Sequence, residues 1–118
     1  MNAQFESKNG NISISPKAIA EVASDASVEC SGIVGMAEVS FYQGIVKLLN
    51  RKAMTKGVEV DIIDNEIFIK LHIIVAFGVN VHTVADNLIE NVVYKIEMFT
   101  GLIVKDIKVL IEGIRVID

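Results

Sequence analysis

The chain has 118 residues, a hydrophobic fraction of 52% and a formal net charge of −4, from 15 acidic against 11 basic residues. That length holds one core, and a composition rich in Ile and Val excludes a disordered chain. The mildly acidic balance argues against broad affinity for nucleic acid or anionic lipid, since both rely on dense positive charge.

No apolar run reaches the roughly 18–20 residues of a membrane span. The opening MNAQFESKNG lacks the basic start and apolar core of a signal peptide. A single cysteine, Cys30, excludes an internal disulfide and fits a reducing compartment, so the expected location is cytoplasmic.

Taken in order, residues 1–10 read as a flexible, polar N-terminus and residues 11–118 as a single domain. Asn11-Ile12-Ser13-Ile14 alternates as a short edge strand does. Ser15-Pro16 then marks a helix start, and Ile19, Val22, Ala23, Ala26 and Cys30 recur at helical spacing as its apolar stripe. Gly32 is the stop signal. Residues 33–40, IVGMAEVS, predict a short extended segment, and FYQGIVKLLNRK, residues 41–52, predicts a short helix weakened by Gly44.

The firmest prediction is a hairpin. With Asp64-Asn65 as a two-residue turn, Ile62 faces Ile67, Val60 faces Ile69 and Val58 faces Leu71, all on one face. On the other face Glu59 falls opposite Lys70, an opposite-charge pair that supports the same register. Gly78 ends the long second strand and Asn80 can cap the next helix. The predicted buried stripe of that helix is Val81, Val84, Ala85, Leu88, Val92, Ile96 and Phe99, widened by Ile89 and Val93, with Gly101 at its end. A last strand from Asp106 to Glu112 meets a bulge or bend at Gly113 and trails off extended.

This order predicts an α+β fold: a two-layer α/β sandwich with two main helices on one face of a mostly antiparallel or mixed sheet. Phe68, Ile74 and Leu110 fall on the other face, as scattered surface apolars or as a self-association surface. The long strand also outruns its hairpin partner, so its distal half needs either the final strand or a second copy of the chain.

Catalytic signals are weak. His72 and His82 lie on different elements with no close-spaced second pair of ligands, which predicts no metal site. Cys30 sits near a helix C-terminus, where the dipole disfavours a thiolate. Asp61, Asp64 and Glu66 read as a solvated turn rather than paired catalytic carboxylates. No cofactor motif occurs. The stretch Gly32-Ile33-Val34-Gly35 has the spacing of the G-x-x-G loop of RNA-binding KH domains, with Lys47, Arg51, Lys52 and Lys56 downstream as a basic cluster. Its apolar middle pair suits a helix end better than a phosphate clamp. An RNA-binding module using the Gly32–Gly35 loop and the Lys47–Lys56 basic cluster is the alternative to an interaction protein, and a small-molecule or acyl-chain carrier with a pocket between sheet and helix is a third reading.

Four passages together carry a resemblance: GNISISPKAIAEVASDASVECSGIVGMA, KLLNRK with TKGVEV, IVAFGVNVHTVADNLIENV, and TGLIVKDIKVLIEGIRV. Over residues 10 to 117 the chain resembles the alkaline shock protein family, envelope stress response proteins of Gram-positive bacteria, and within it the small housekeeping branch. The resemblance implies a small cytoplasmic α/β protein without catalytic residues to carry over, with no cofactor, which self-associates. It also implies recruitment to the membrane by a family-related anchoring protein. The glutamine often found before Gly113 in that family is Glu112 here.

Overall fold

The computed structural model describes residues 2–37, 53–55 and 57–117. The predicted helix at 41–52 and the basic residues Lys47, Arg51, Lys52 and Lys56 lie outside the described residues.

Two strands, β1 (Ala3–Ser7) and β2 (Gly10–Ile14), pair antiparallel as a small hairpin. The flexible start expected at residues 1–10 is therefore corrected for Ala3–Ser7. Phe5 and Ile12 pair within this hairpin, and Ala3 is fully buried. The Asn65 side chain ties β1 down by taking the Gln4 N–H at 3.1 Å and donating to the Gln4 carbonyl at 2.8 Å. A polar sequence concealed this because the anchor is an amide acting as a strand neighbour, not a hydrophobic stripe.

Helix α1 (Pro16–Val28) begins as its sequence predicts: Ser15 Oγ accepts the Ala18 N–H at 3.1 Å, and Pro16 occupies the first turn. β3 (Ile33–Met36) follows, then β4 (Ala53–Thr55), β5 (Val58–Ile63) and β6 (Glu66–Ala76). The β5–β6 register is the predicted one, including Ile62 with Ile67, Val58 with Leu71 and Glu59 with Lys70. Asp64 and Asn65 both hold positive φ, 51° and 60°, as a primed two-residue turn requires.

Helix α2 (Val81–Thr100) is capped by Asn80, whose Oδ1 accepts the Thr83 N–H at 3.0 Å, and closed by Gly101 at φ 73°. It carries the chain over to β7 (Ile103–Arg115), which runs parallel to β6 along the whole of that strand. The distal half of β6 thus finds its partners within the chain: β7 along one edge, and on the other edge β5 followed by β3. Of the two partners expected for that half, the final strand is the one found, with β3 on the other edge.

Among the described residues the main sheet is five-stranded and mixed, with α1 and α2 on one face. Its inner face presents Val58, Val60, Ile62, Ile67, Ile69, Leu71, Ile73 and Val75, all buried, to Ile19, Ala20, Ala23 and Ala26 of α1 and Val84, Leu88, Val92 and Ile96 of α2. Burying that much branched aliphatic surface, at about 25 cal/mol per Å², is what holds the layers together. Val81 and Phe99, expected on the α2 stripe, are 39% and 54% exposed. The row that meets the sheet steps by four from Val84 to Thr100, which leaves those two to its side. Where the helices meet, Asn91 donates to the Ala26 carbonyl at 2.9 Å, and Lys95 pairs with Glu29 at 2.7 Å.

Candidate functional site

On the outer face, alternate residues of three neighbouring strands come together around His72. Its backbone is a junction: the N–H donates to Gly57 O at 2.8 Å and the carbonyl accepts from Ala37 N at 2.9 Å, where the chain beyond β3 meets the start of β5. Gly57 fits only because it lacks a side chain. Its φ is +79°, and a Cβ would stand 2.5 Å from Ala37 O and 3.0 Å from His72 O.

The His72 ring lies between two carboxylates. Nε2 is 2.7 Å from Glu59 Oε2 on β5, and Nδ1 is 2.6 Å from Glu112 Oε2 on β7. His72 is 8% exposed, so this histidine on the outer face of the strand is buried and doubly bonded. Glu59 sits opposite Lys70 in the ladder, yet its carboxylate reaches diagonally to His72 instead. Glu112 reaches the ring because β7 bulges there: Ile73 pairs with Ile111 but Ile74 pairs with Gly113, leaving Glu112 as the extra residue. Sequence reading placed the bulge at Gly113 and missed the triad. The signal that could have found it is the presence of two glutamates on the face that alternation assigns to the only strand histidine.

A shallow groove of about 210 Å³ lies beside the triad, lined by Glu59, Asp61, Ile63, Phe68, Ile69, Lys70, Asp106 and Lys108. Lys70 and Lys108 are paired in the β6–β7 register, and among the described residues neither is in ion-pair contact with a carboxylate. Phe68 and Ile74 are half-buried on this face and Leu110, beside His72, is 37% exposed. The structure therefore gathers Phe68, Ile74 and Leu110 onto one sheet face.

The glycines expected as a G-x-x-G loop are placed otherwise. Gly32, at φ +90°, turns the chain out of α1, and a Cβ there would lie 2.7 Å from Val84 Cγ2. Gly35 lies within β3, paired with Ile74. The pair spans a helix-to-strand turn, not a loop between two helices. Cys30 is half-buried against Ala26 O and Asn91, and burial pushes its thiol up from the ordinary range, against an opposing hydrogen bond from Asn91. His82 is exposed at the start of α2, 3.4 Å from Asp86.

The model of the alkaline shock protein 23 family, described as having a cell envelope-related function, matches residues 4–116. The chain belongs to the alkaline shock protein 23 family. The match covers nearly the whole chain and bears out the resemblance read from the sequence. Among its relatives is YloU of Bacillus subtilis, described as uncharacterized, 35% identical over 98% of both chains. Spy1614 of Streptococcus pyogenes serotype M6, likewise described, is 30% identical over 99% of this chain and 98% of its own. YqhY of B. subtilis is 32% identical over 90% of this chain and 78% of its own. No solved structure matches the chain. Among the described residues, no helix is long and apolar enough to cross a membrane, which says nothing of crossing by strands.

Proposed function

We propose that this alkaline shock family chain is a non-enzymatic interaction or scaffold protein of cell-envelope homeostasis. It acts in the cytoplasm through protein partners, among them further copies of itself and a family-related membrane-anchoring protein. The observation that carries this reading is the outer sheet face. Phe68, Ile74 and Leu110 stand there among Lys70, Lys108, Asp61 and Asp106, while both helices pack on the opposite face. Apolar residues set among both signs of charge are the makings of a moderately polar, partner-specific contact. The family's envelope-related description supplies the cellular setting.

The test is genetic. A deletion strain challenged with alkali or wall-active agents is expected to change in growth, morphology or stress transcription. The wild-type chain is expected to restore it, and Ile74→Lys to fail while still accumulating as folded protein. A deletion strain indistinguishable from its parent under every challenge contradicts the reading.

A further inference from the structure

The outer-face triad has a proton requirement that its residue types do not meet by default. An ionised carboxylate only accepts hydrogen bonds, and a neutral imidazole donates from one nitrogen only. Yet both ring nitrogens of His72 lie within 2.7 Å of a glutamate oxygen. Two contacts of that length need two protons, and with both glutamates ionised the set supplies them only when His72 carries both. Imidazole is the stronger base than carboxylate, so the second proton belongs on the ring.

We propose that Glu59, His72 and Glu112 form a proton-held clamp, in which the second ring proton ties β5 and β7 to β6 across the outer face and its departure releases Glu112. When the imidazolium gives its Nδ1 proton to solvent, the neutral ring keeps Nε2–H on Glu59. The bare Nδ1 lone pair then faces a Glu112 oxygen at 2.6 Å, acceptor against acceptor. Glu112 is the arm that moves. Its side chain is 44% exposed against 21% for Glu59, and it projects from a bulge where the β6–β7 ladder is already interrupted.

The charges facing the ring set the direction. Among the described residues, from β5 comes Glu59 in contact, with Asp61 further along the same face; from β7 come Glu112 in contact, then Lys108 and Asp106 further along. β6 itself contributes Lys70, two residues away, and β3 has no ionisable residue. Two carboxylates in hydrogen-bond contact outweigh two lysines a strand step away, because interaction energy falls with distance and with solvent between the charges. The protonated ring is therefore the bonded state, and rising pH opens the clamp. The released state has lost one positive charge beside Leu110 and the groove, so any contact made by this face becomes pH-dependent. The clamp itself does not depend on the proposed function.

The experiment is a pH titration of the ¹⁵N-labelled chain, following both His72 ring nitrogens by long-range ¹H–¹⁵N correlation. His82, 87% exposed, serves as an internal reference in the same spectra. In the wild type both His72 nitrogens are expected to be protonated at low pH, and the Glu112 amide resonance to shift together with the loss of the second proton. Glu59→Gln and Glu112→Gln each replace a carboxylate that accepts a ring proton with a neutral amide, and each is expected to move the ¹⁵N resonance of the ring nitrogen it faces. In Glu112→Gln the amide can donate to the bare Nδ1, so the 112 amide resonance should no longer follow the ring. Both substitutions keep shape, and an unchanged backbone amide spectrum verifies the fold. One unprotonated ring nitrogen at the lowest pH that preserves the fold overturns the proposal. Ring-nitrogen resonances that are the same in wild type and both variants overturn it too.

Discussion

The two faces of β5 and β6 are made from alternate residues of the same two strands, and they are held by different physics. The inner face is a continuous row of Val, Ile and Leu under two helices, where binding is non-directional and grows with area. The outer face joins strands by directed contacts, with Glu59, His72 and Glu112 bridging three of them within 2.7 Å per bond. One face makes the sandwich stable, and the other carries the surface proposed to respond to pH. The difference shows how one alternating sequence can carry a fold and a site without either disturbing the other.

The inner face should yield the largest effects. Leu71 is fully buried there, and Leu71→Ala is expected to lower unfolding free energy by about 3 kcal/mol, read by denaturant titration. A loss below about 1 kcal/mol would mean the inner face is not the main source of stability. On the outer face, His72→Ala removes two bonds to charged groups and leaves Glu59 partly buried without its partner. Its expected loss is about 2 kcal/mol, near neutral pH, by the same titration. If that variant equals the wild type, the triad does not tie the strands together.

The smallest effect belongs to a contact on neither face. Lys95, by hydrogen bond and then by charge, holds the Glu29 carboxyl below the usual carboxylate range, and Glu29 raises the Lys95 ammonium in return. Because the Glu29 shift is downward, its stabilisation is present above the ordinary carboxylate range and is lost as pH falls through the lowered value. Because the Lys95 shift is upward, its share is present below the ordinary lysine range and is lost as pH rises through the raised value. Both groups are exposed, so Lys95→Met should leave stability near neutral pH almost unchanged and slightly flatten its decline in acid. A large loss at neutral pH would show that this pair, rather than apolar packing, holds α1 to α2.

The same contrast explains what could be read in advance. The β5–β6 register was legible because a period of two, a two-residue turn and one charge pair all pointed to one alignment. The helix caps at Ser15, Asn80 and Gly101 were legible because capping is local chemistry. β1 was not, since its anchor is the distant Asn65 amide. The triad was not, since it depends on β7 lying parallel to β6 and bulging by one residue at Glu112, which no local pattern specifies. The choice between the final strand and a second copy as partner for the distal half of β6 was left open for the same reason: β3 and β7 reach it from far along the chain. What survives of the self-association argument is the outer face itself, through Phe68, Ile74 and Leu110.

The most direct test of that face as the working surface is sedimentation equilibrium of wild type and Ile74→Lys across the micromolar range. Ile74 is half-buried on the outer face towards the end of β6, paired with the β7 glycine that follows Glu112. The wild type is expected to be at least dimeric, and the Ile74→Lys variant to be monomeric with an unchanged denaturation midpoint. A wild type that stays monomeric throughout that range, or a variant that associates as strongly as the wild type, contradicts that role for the outer face.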